Sequence, residues 1–300
     1  MAKGSYGTSD ILGWMGYFAN EMQVSPEKIK IMDICGKLKN VIPFVETRKR
    51  VLIFADELHE DLFYDFWEAG FGEYDMWYGT GVKEEGQIKK VKIKEVIHKK
   101  ITEPTVIFIL NENTRESYRI GMKNEMFSKG PIKYVGHEIR AVIMSMLGVD
   151  SQDTICLVDA ESIAIEAAFV AGDGTIICVE NDKGAKETME DNVKQFGVHN
   201  VMIVPDLGPE SMEKIPVPRL SFIVANKHLE EDIERLLKKN PKMQFVIYTL
   251  ELDILSKIKP LFDKYNISNM EVTQITVSKT DKNNMFVTQP SPWLITGEVL

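Results

Sequence analysis

The stretch that decides the fold is Thr154-Ile155-Cys156-Leu157-Val158, then Asp159-Ala160-Glu161, then the helical run Ser162 to Ala171 and a second apolar strand, Thr175-Ile176-Ile177-Cys178-Val179. Both strands are apolar at every central position, which suits a sheet buried on both faces better than one with a wet side. The alternation continues downstream. A helix is predicted over Lys183 to Phe196, a strand over Val201 to Val204, a short turn of helix, and strand Leu220 to Val224. Helix Leu229 to Lys239, strand Gln244 to Tyr248 and helix Leu250 to Tyr265 follow, and helix Glu138 to Leu147 precedes the series. Strands and helices in strict alternation predict a parallel sheet with helices on both sides. Glu271 to Val277 and Trp293 to Thr296 have no helix between them, so they are predicted to form an antiparallel hairpin closing one edge. No internal repeat is visible.

The first half reads less regularly. Ile11, Leu12, Met15, Phe18 and Met22 recur at three- and four-residue spacings, the signature of an amphipathic helix from Ser9 to Met22. Strands are predicted at Lys28 to Met32, Arg50 to Ala55 and Thr105 to Leu110, with a helix after each of the first two. Asp56, Glu57, Glu60 and Asp61 load the start of the second helix, and Gly70 and Gly72 end it. Lys89, Lys90, Lys92 and Lys94 interleave with apolar residues between Ile88 and Ile97, as on an edge strand whose lysines block further pairing.

Composition narrows the function classes. Three hundred residues suit about two domains with real cores. Thirty-six Lys and Arg against 45 Asp and Glu leave a net charge of -9, the wrong sign for a surface that attracts nucleic acid. No apolar run approaches the roughly 20 residues of a bilayer span, and Met1-Ala2-Lys3-Gly4 lacks a signal-peptide core, so a cytoplasmic protein without a membrane partner is expected. Cys35, Cys156 and Cys178 are too few and too scattered for a disulfide framework or a zinc knuckle and read as reduced core thiols.

Several segments resemble the decarboxylating precorrin-6Y methyltransferase family of cobalamin biosynthesis, in its class I methyltransferase half. Gly136-His137-Glu138-Ile139-Arg140-Ala141 resembles the family's Glu-x-Arg helix start, and Ser162-Ile163-Ala164-Ile165-Glu166-Ala167-Ala168 the helix after its cofactor loop. Val179-Glu180-Asn181-Asp182 is similar to its acid-ended second strand. Asn192 to Asn200, Thr249-Leu250-Glu251, Thr273 to Ser278 and Pro292 to Gly297 continue the likeness. Ser5 to Met22, Lys49 to Phe71 and Thr105 to Leu110 resemble, more diffusely, the second subdomain of a tetrapyrrole methylase module. The resemblance implies an α/β chain with two parts. Residues 1–129 would be a partial tetrapyrrole-methylase-like subdomain, and 130–300 a Rossmann-like domain for S-adenosylmethionine-dependent methyl transfer. The boundary is set near Ser128-Lys129-Gly130-Pro131, after a polar stretch from Asn111. A homo-oligomer and a tetrapyrrole or other small anionic ligand are also implied.

In that family the cofactor lies over a turn of the form Asp-x-Gly-x-Gly-x-Gly, where missing side chains let backbone approach the ligand. Here the turn is shorter and holds no glycine, and Asp159, Glu161 and Ser162 stand at it. Its two acids would repel a methionine carboxylate. The loop after the fourth strand of this half is Ala225-Asn226-Lys227-His228, again without glycine, and of the family's Gly-Asp-Ala-Pro segment only Asp206 and Pro209 remain. Glu180 is the retained cofactor determinant, able to accept both ribose hydroxyl protons, or else an acid capping the helix at Lys183. His137, Lys227 and His228 are candidate contacts for an anionic substrate, with a plain surface role as the alternative. His59 among Glu57, Glu60 and Asp61 reads as a solvated helix start rather than a metal site, because adjacent helical positions do not share a face. Gly79-x-Gly81 precedes no helical pattern and is set aside as a phosphate loop. Two readings stay open: an active corrin-ring methyltransferase, whose chemistry would need mainly proximity and orientation, and a pseudoenzyme keeping the fold as a binding or assembly module.

Overall fold

The computed structural model describes residues 6–80, 88–116, 118, 120–131 and 135–299; Met1 to Ser5, Gly81 and the side chain of Glu161 lie outside the described part. Packing divides the chain into two compact units. The first takes the described residues up to Glu116 together with Phe196–His199, and the second takes the remainder from Tyr118 onward.

The first unit is built on one sheet of β1 (Lys30–Asp33), β2 (Arg50–Ala55), β3 (Asp75–Thr80), β4 (Lys89–Lys92) and β5 (Thr105–Leu110), in the order β1-β2-β5-β3-β4. β1 runs parallel to β2, and the other neighbours are antiparallel. After their first residues, Arg50 and Thr105, β2 and β5 are apolar, which suits strands with helices on both faces. Leu52, Phe54, Val106 and Phe108 pack with Trp14 and Phe18 of α1 (Thr8–Glu21), where the Phe18 and Phe108 rings stack with centroids 4.7 Å apart. Val51, Ile53, Ile107 and Ile109 point the other way, to α2 (Val41–Glu46) and α3 (Leu62–Phe66). β3 is a strand that the sequence pattern hid, since Gly79 interrupts its apolar run. β4 is an edge strand, as its lysines suggested, and Lys92 Nζ lies 3.0 Å from Asp75 across the pair. His59 has a structural role, its Nε2 lying 2.9 Å from the Ile34 carbonyl and 2.8 Å from that of Lys37.

The second unit runs α4 (His137–Leu147), β6 (Thr154–Val158), α5 (Glu161–Val170), β7 (Thr175–Val179), α6 (Lys183–Phe196), β8 (Val201–Val204), α7 (Pro209–Lys214), β9 (Leu220–Val224), α8 (Leu229–Lys239), β10 (Gln244–Thr249) and α9 (Leu252–Lys264), with only Phe196, the last residue of α6, counted in the first unit. β11 (Ser268–Gln274), β12 (Ser278–Thr280), β13 (Phe286–Thr288) and β14 (Trp293–Glu298) complete it. The main sheet has the order β11-β14-β10-β9-β6-β7-β8. β10, β9, β6, β7 and β8 are parallel in sequence, and β14 is antiparallel to both β10 and β11. This is the Rossmann-like layout expected from the resemblance. The two late strands pair antiparallel but are not joined by a tight hairpin: an arm, β12–β13, extends between them and leaves Phe286 79% exposed. An exposed arm has no core-facing stripe to announce it, so its strands were not foreseen.

The segment from Tyr118 to Lys129, placed by the sequence reading before the boundary, groups with the second unit. A buried ion pair explains this. Arg140 and Glu166 are 0% and 1% exposed, and Arg140 Nε donates to Glu166 Oε1 at 2.6 Å. Glu166 also accepts from the backbone N–H groups of Gly121 and Met122, each at 2.9 Å. Arg140 donates further to the Met122 and Val135 carbonyls and to Asn124 Oδ1, with the Phe127 ring beneath the guanidinium. Segment and helix pair are thereby tied together.

Gly174 sits where a Cβ would collide with the Asp153 backbone, including its carbonyl oxygen, and backbone cannot swing aside. Gly174→Ala is expected to destabilise the second unit by about 1–3 kcal/mol. A urea midpoint equal to the parent's would contradict this.

Candidate functional site

The strand order itself locates the site. β6 is followed in the chain by β7 and β8 on one side, after which the chain returns to lay β9 and β10 on the other. At such a reversal the loops leave β6 and β9 in opposite directions, and a crevice opens at the carboxyl ends of the strands. A cleft of about 740 Å³ lies there, lined by Asp159 after β6, Glu180 and Asp182 after β7, Val224 and Ala225 at the end of β9, and Tyr248 to Glu251 at the end of β10. Val135, Gly136 and Ile139 at the start of α4 and Gln289 and Pro290 beyond β13 complete its rim.

β6 passes to α5 through Asp159 and Ala160 alone. Such a short connection requires a reversal of backbone direction, and Asp159 supplies it at φ 57°, the left-handed region that glycine enters freely and aspartate only at a cost. Its exposed carboxylate stands in the cleft and accepts from Asn226 Nδ2 at 3.1 Å. Burial raises its pKa, and the Asn226 bond partly offsets that rise. Ser162 is buried in the first turn of α5, and Glu161 opens that helix. The residues of α5 from Ile163 to Ala168 are all buried, Glu166 among them.

Glu180 is 4% exposed. Its Oε1 accepts from the Asp182 backbone N–H at 3.2 Å, while Oε2 is buried without a hydrogen-bond partner. Glu180 is not the helix cap: Asp182 Oδ1 performs that role, accepting from the Ala185 N–H at 2.8 Å. A buried carboxylate oxygen without a donor is costly unless a ligand or an ordered water supplies one. Burial raises the Glu180 pKa first, the Asp182 N–H lowers it, and the nearby charges of Asp159 and Asp182 raise it again.

The remaining sequence candidates fall elsewhere. Asp206 is exposed just before α7, where its Oδ1 accepts from the Gly208 N–H at 2.6 Å and from Ser211 Oγ at 3.3 Å; it shapes the turn into that helix and is not among the residues lining the cleft. His137 Nε2 lies 3.0 Å from Glu138 Oε1, and Lys279 of the arm reaches the same oxygen, so His137 sits beside the cleft mouth in a charged cluster. Lys227 is exposed and lines a second groove of about 1060 Å³ between α8 and α9, next to the cleft through the shared Ala225 and Glu251. His228 is exposed, 3.9 Å from Glu231. Tyr248, Gln289 and Pro290 were missed, standing at a strand end and beyond β13 with no motif of their own, and Asn226 was read only as part of a loop without glycine. Among the described residues no group of three or more His, Cys, Asp or Glu could hold a metal ion.

Beneath the cleft, Asp232 of α8 is buried and its pKa is pushed up to about 6, by burial first, against the attraction of Arg235 and His228 and with the repulsion of Asp159 and Glu231. A carboxylate whose folded pKa is raised lowers stability progressively as the pH rises from the ordinary aspartate range to the folded value, and the cost is fully present above it. Asp232→Asn is therefore expected to be more stable than the parent near pH 8, by on the order of 1–3 kcal/mol, with the gap narrowing near pH 5. Urea midpoints at the two pH values check this, and a gap independent of pH would refute it.

With fold and cleft in view, comparison with known proteins identifies the lineage. A profile described as the precorrin methyltransferase domain matches residues 129–289, more than half of the chain. The chain belongs to the precorrin methyltransferase family. It is 24% identical over 161 residues to the protein of Methanococcus maripaludis named probable cobalt-precorrin-6B C(15)-methyltransferase (decarboxylating), covering 54% of this chain and 87% of that one. The protein of the same name from Methanosarcina acetivorans is 27% identical over 179 residues, 57% of this chain and 95% of that one. The crystal structure of precorrin-6y C5,15-methyltransferase from Geobacter metallireducens superposes with a TM-score of 0.55 at 26% identity, over 59% of this chain and 96% of that one. The match to the precorrin methyltransferase family thus falls on the second unit and contains most of the cleft. Among the described residues no helix is long and apolar enough to cross a membrane.

Proposed function

We propose that this precorrin methyltransferase family member of the cobalamin pathway has a degenerate S-adenosylmethionine site and carries out little or no methyl transfer, its fold serving as a binding module. One observation carries the reading: the two-residue, glycine-free turn at Asp159-Ala160, held at φ 57°, puts a carboxylate where backbone alone would have to meet the amino-acid end of the cofactor. The residues fit S-adenosylmethionine at one end only. Glu180 Oε2, buried and unpartnered, suits a pair of ribose hydroxyls, whereas Asp159 opposes a methionine carboxylate. When bound, that cofactor supplies an electrophilic methyl group; the part this chain's residues can play is to hold the nucleoside. The ligand-side candidates, the Lys227 ammonium and the His228 imidazole, lie in and beside the adjoining groove and suit an anionic ligand such as a tetrapyrrole carboxylate. The likeness of β2 and β5 to part of a tetrapyrrole methylase supports reading the first unit as a partial module of that kind.

Active methyl transfer is the second reading, and Glu180 favours it, because an intact diol acceptor is what an active site would keep. Methyl-labelled S-adenosylmethionine and cobalt-precorrin-6B, given to this chain and in parallel to the Methanosarcina relative, separate the two. The expected result is transfer at least about a thousandfold slower here, roughly 4 kcal/mol in barrier. Comparable rates would establish the active enzyme.

A further inference from the structure

We propose that the cleft selects its ligand by charge, taking an adenosyl sulfonium that lacks the amino-acid carboxylate in preference to S-adenosylmethionine itself. The inference rests on the reading that the cleft holds the nucleoside, and it names the chemistry of the other end. Asp159, Glu180, Asp182 and Glu251 line the cleft, and among its described lining residues there is no Lys, Arg or His. Acidity alone would define no site. The independent observation is Glu180, more than nine-tenths buried, with Oε2 unpartnered and the side chain in the cleft wall. A donor-bearing ligand would satisfy that oxygen. Asp159 then sets which one: its carboxylate is anchored by Asn226 from the loop after β9, and its left-handed backbone fixes it at the crevice between β6 and β9.

The candidate ligands differ in what they bring to Asp159. S-adenosylmethionine carries a sulfonium, an ammonium and a carboxylate, so one net positive charge. S-adenosylhomocysteine has lost the sulfonium charge and is neutral. Decarboxylated S-adenosylmethionine keeps both cations and drops the anion. In a cleft lined by carboxylates and no cation each added positive charge is attracted, and a ligand carboxylate beside Asp159 is repelled, most strongly at low ionic strength because Asp159, Asp182 and Glu251 are exposed and salt screens them. Affinity should therefore fall from the decarboxylated compound to S-adenosylmethionine to S-adenosylhomocysteine. Bases and ribose are identical in the three, so the ranking isolates the charge.

Calorimetric titration of the full chain with these three compounds at low ionic strength tests the inference. The decarboxylated compound is expected to bind at least about tenfold more tightly than S-adenosylmethionine. Asp159→Asn, which keeps a side chain tolerant of left-handed backbone while removing the charge, should shrink that ratio to about threefold or less. Far-ultraviolet dichroism verifies that the variant is folded. Equal or tighter binding of S-adenosylmethionine would overturn charge selection while leaving the nucleoside site standing, and so would an unchanged ratio in Asp159→Asn. Failure of all three compounds to bind would overturn the nucleoside reading as well.

Discussion

Replacing Arg140 with methionine is expected to lower the unfolding free energy of the second unit by about 3–5 kcal/mol, because it strands Glu166 as an unpaired charge. Glu166 is 1% exposed and has no water to turn to. The loss extends beyond the pair, since the Met122 and Val135 carbonyls and Asn124 all lose a donor. Removing both partners should not restore the parent's stability. In Arg140→Met with Glu166→Met, the N–H groups of Gly121 and Met122 would still lack the carboxylate that now accepts them. Thermal unfolding should shift by roughly 10 °C, and hydrogen exchange at Gly121 and Met122 should quicken. A variant within about 1 kcal/mol of the parent would show that the network is dispensable. Asn124 and Val135 also line the cleft, so the same substitution should loosen one of its walls.

Asp159→Gly is expected to strengthen S-adenosylmethionine binding by about tenfold, equivalent to about 1.4 kcal/mol. Two effects act together. The negative charge opposing the ligand carboxylate disappears, and φ 57° becomes a conformation that the residue adopts freely. The entropy that glycine gains in the unfolded chain offsets the strain relief, so stability should change by less than about 1 kcal/mol. Titration of this variant beside the parent decides the matter. Unchanged affinity would mean that the shortness of the turn, rather than its carboxylate, closes the site to the cofactor.

The regular part of the fold was legible because its signals are local. β2, β6, β7 and β9 are apolar runs at the positions read from sequence, and α6 and α8 begin and end where the periodicity does. β3 was lost to one glycine, and the β12–β13 arm to its own exposure. In the site, the residue type at position 180 was readable, but its meaning was not: only the bond from the Ala185 N–H to Asp182 shows that the helix is capped without it. Asp206 read as a cofactor acid and here holds the turn into α7, since Asp-x-Gly before a Pro-led helix is as good a turn sequence as a binding one. Gln289 and the Arg140–Glu166 pair depend on contacts between distant segments that no periodicity encodes.

The central claim is that the cleft keeps its diol acceptor and has lost its hold on the methionine end. Calorimetric titration of the parent protein with S-adenosylmethionine tests it most directly. Dissociation in the range of about 1 mM or weaker, near -4 kcal/mol, is the expected result. A dissociation constant of about 1 µM, near -8 kcal/mol, would contradict it and restore the chain to the active methyltransferases.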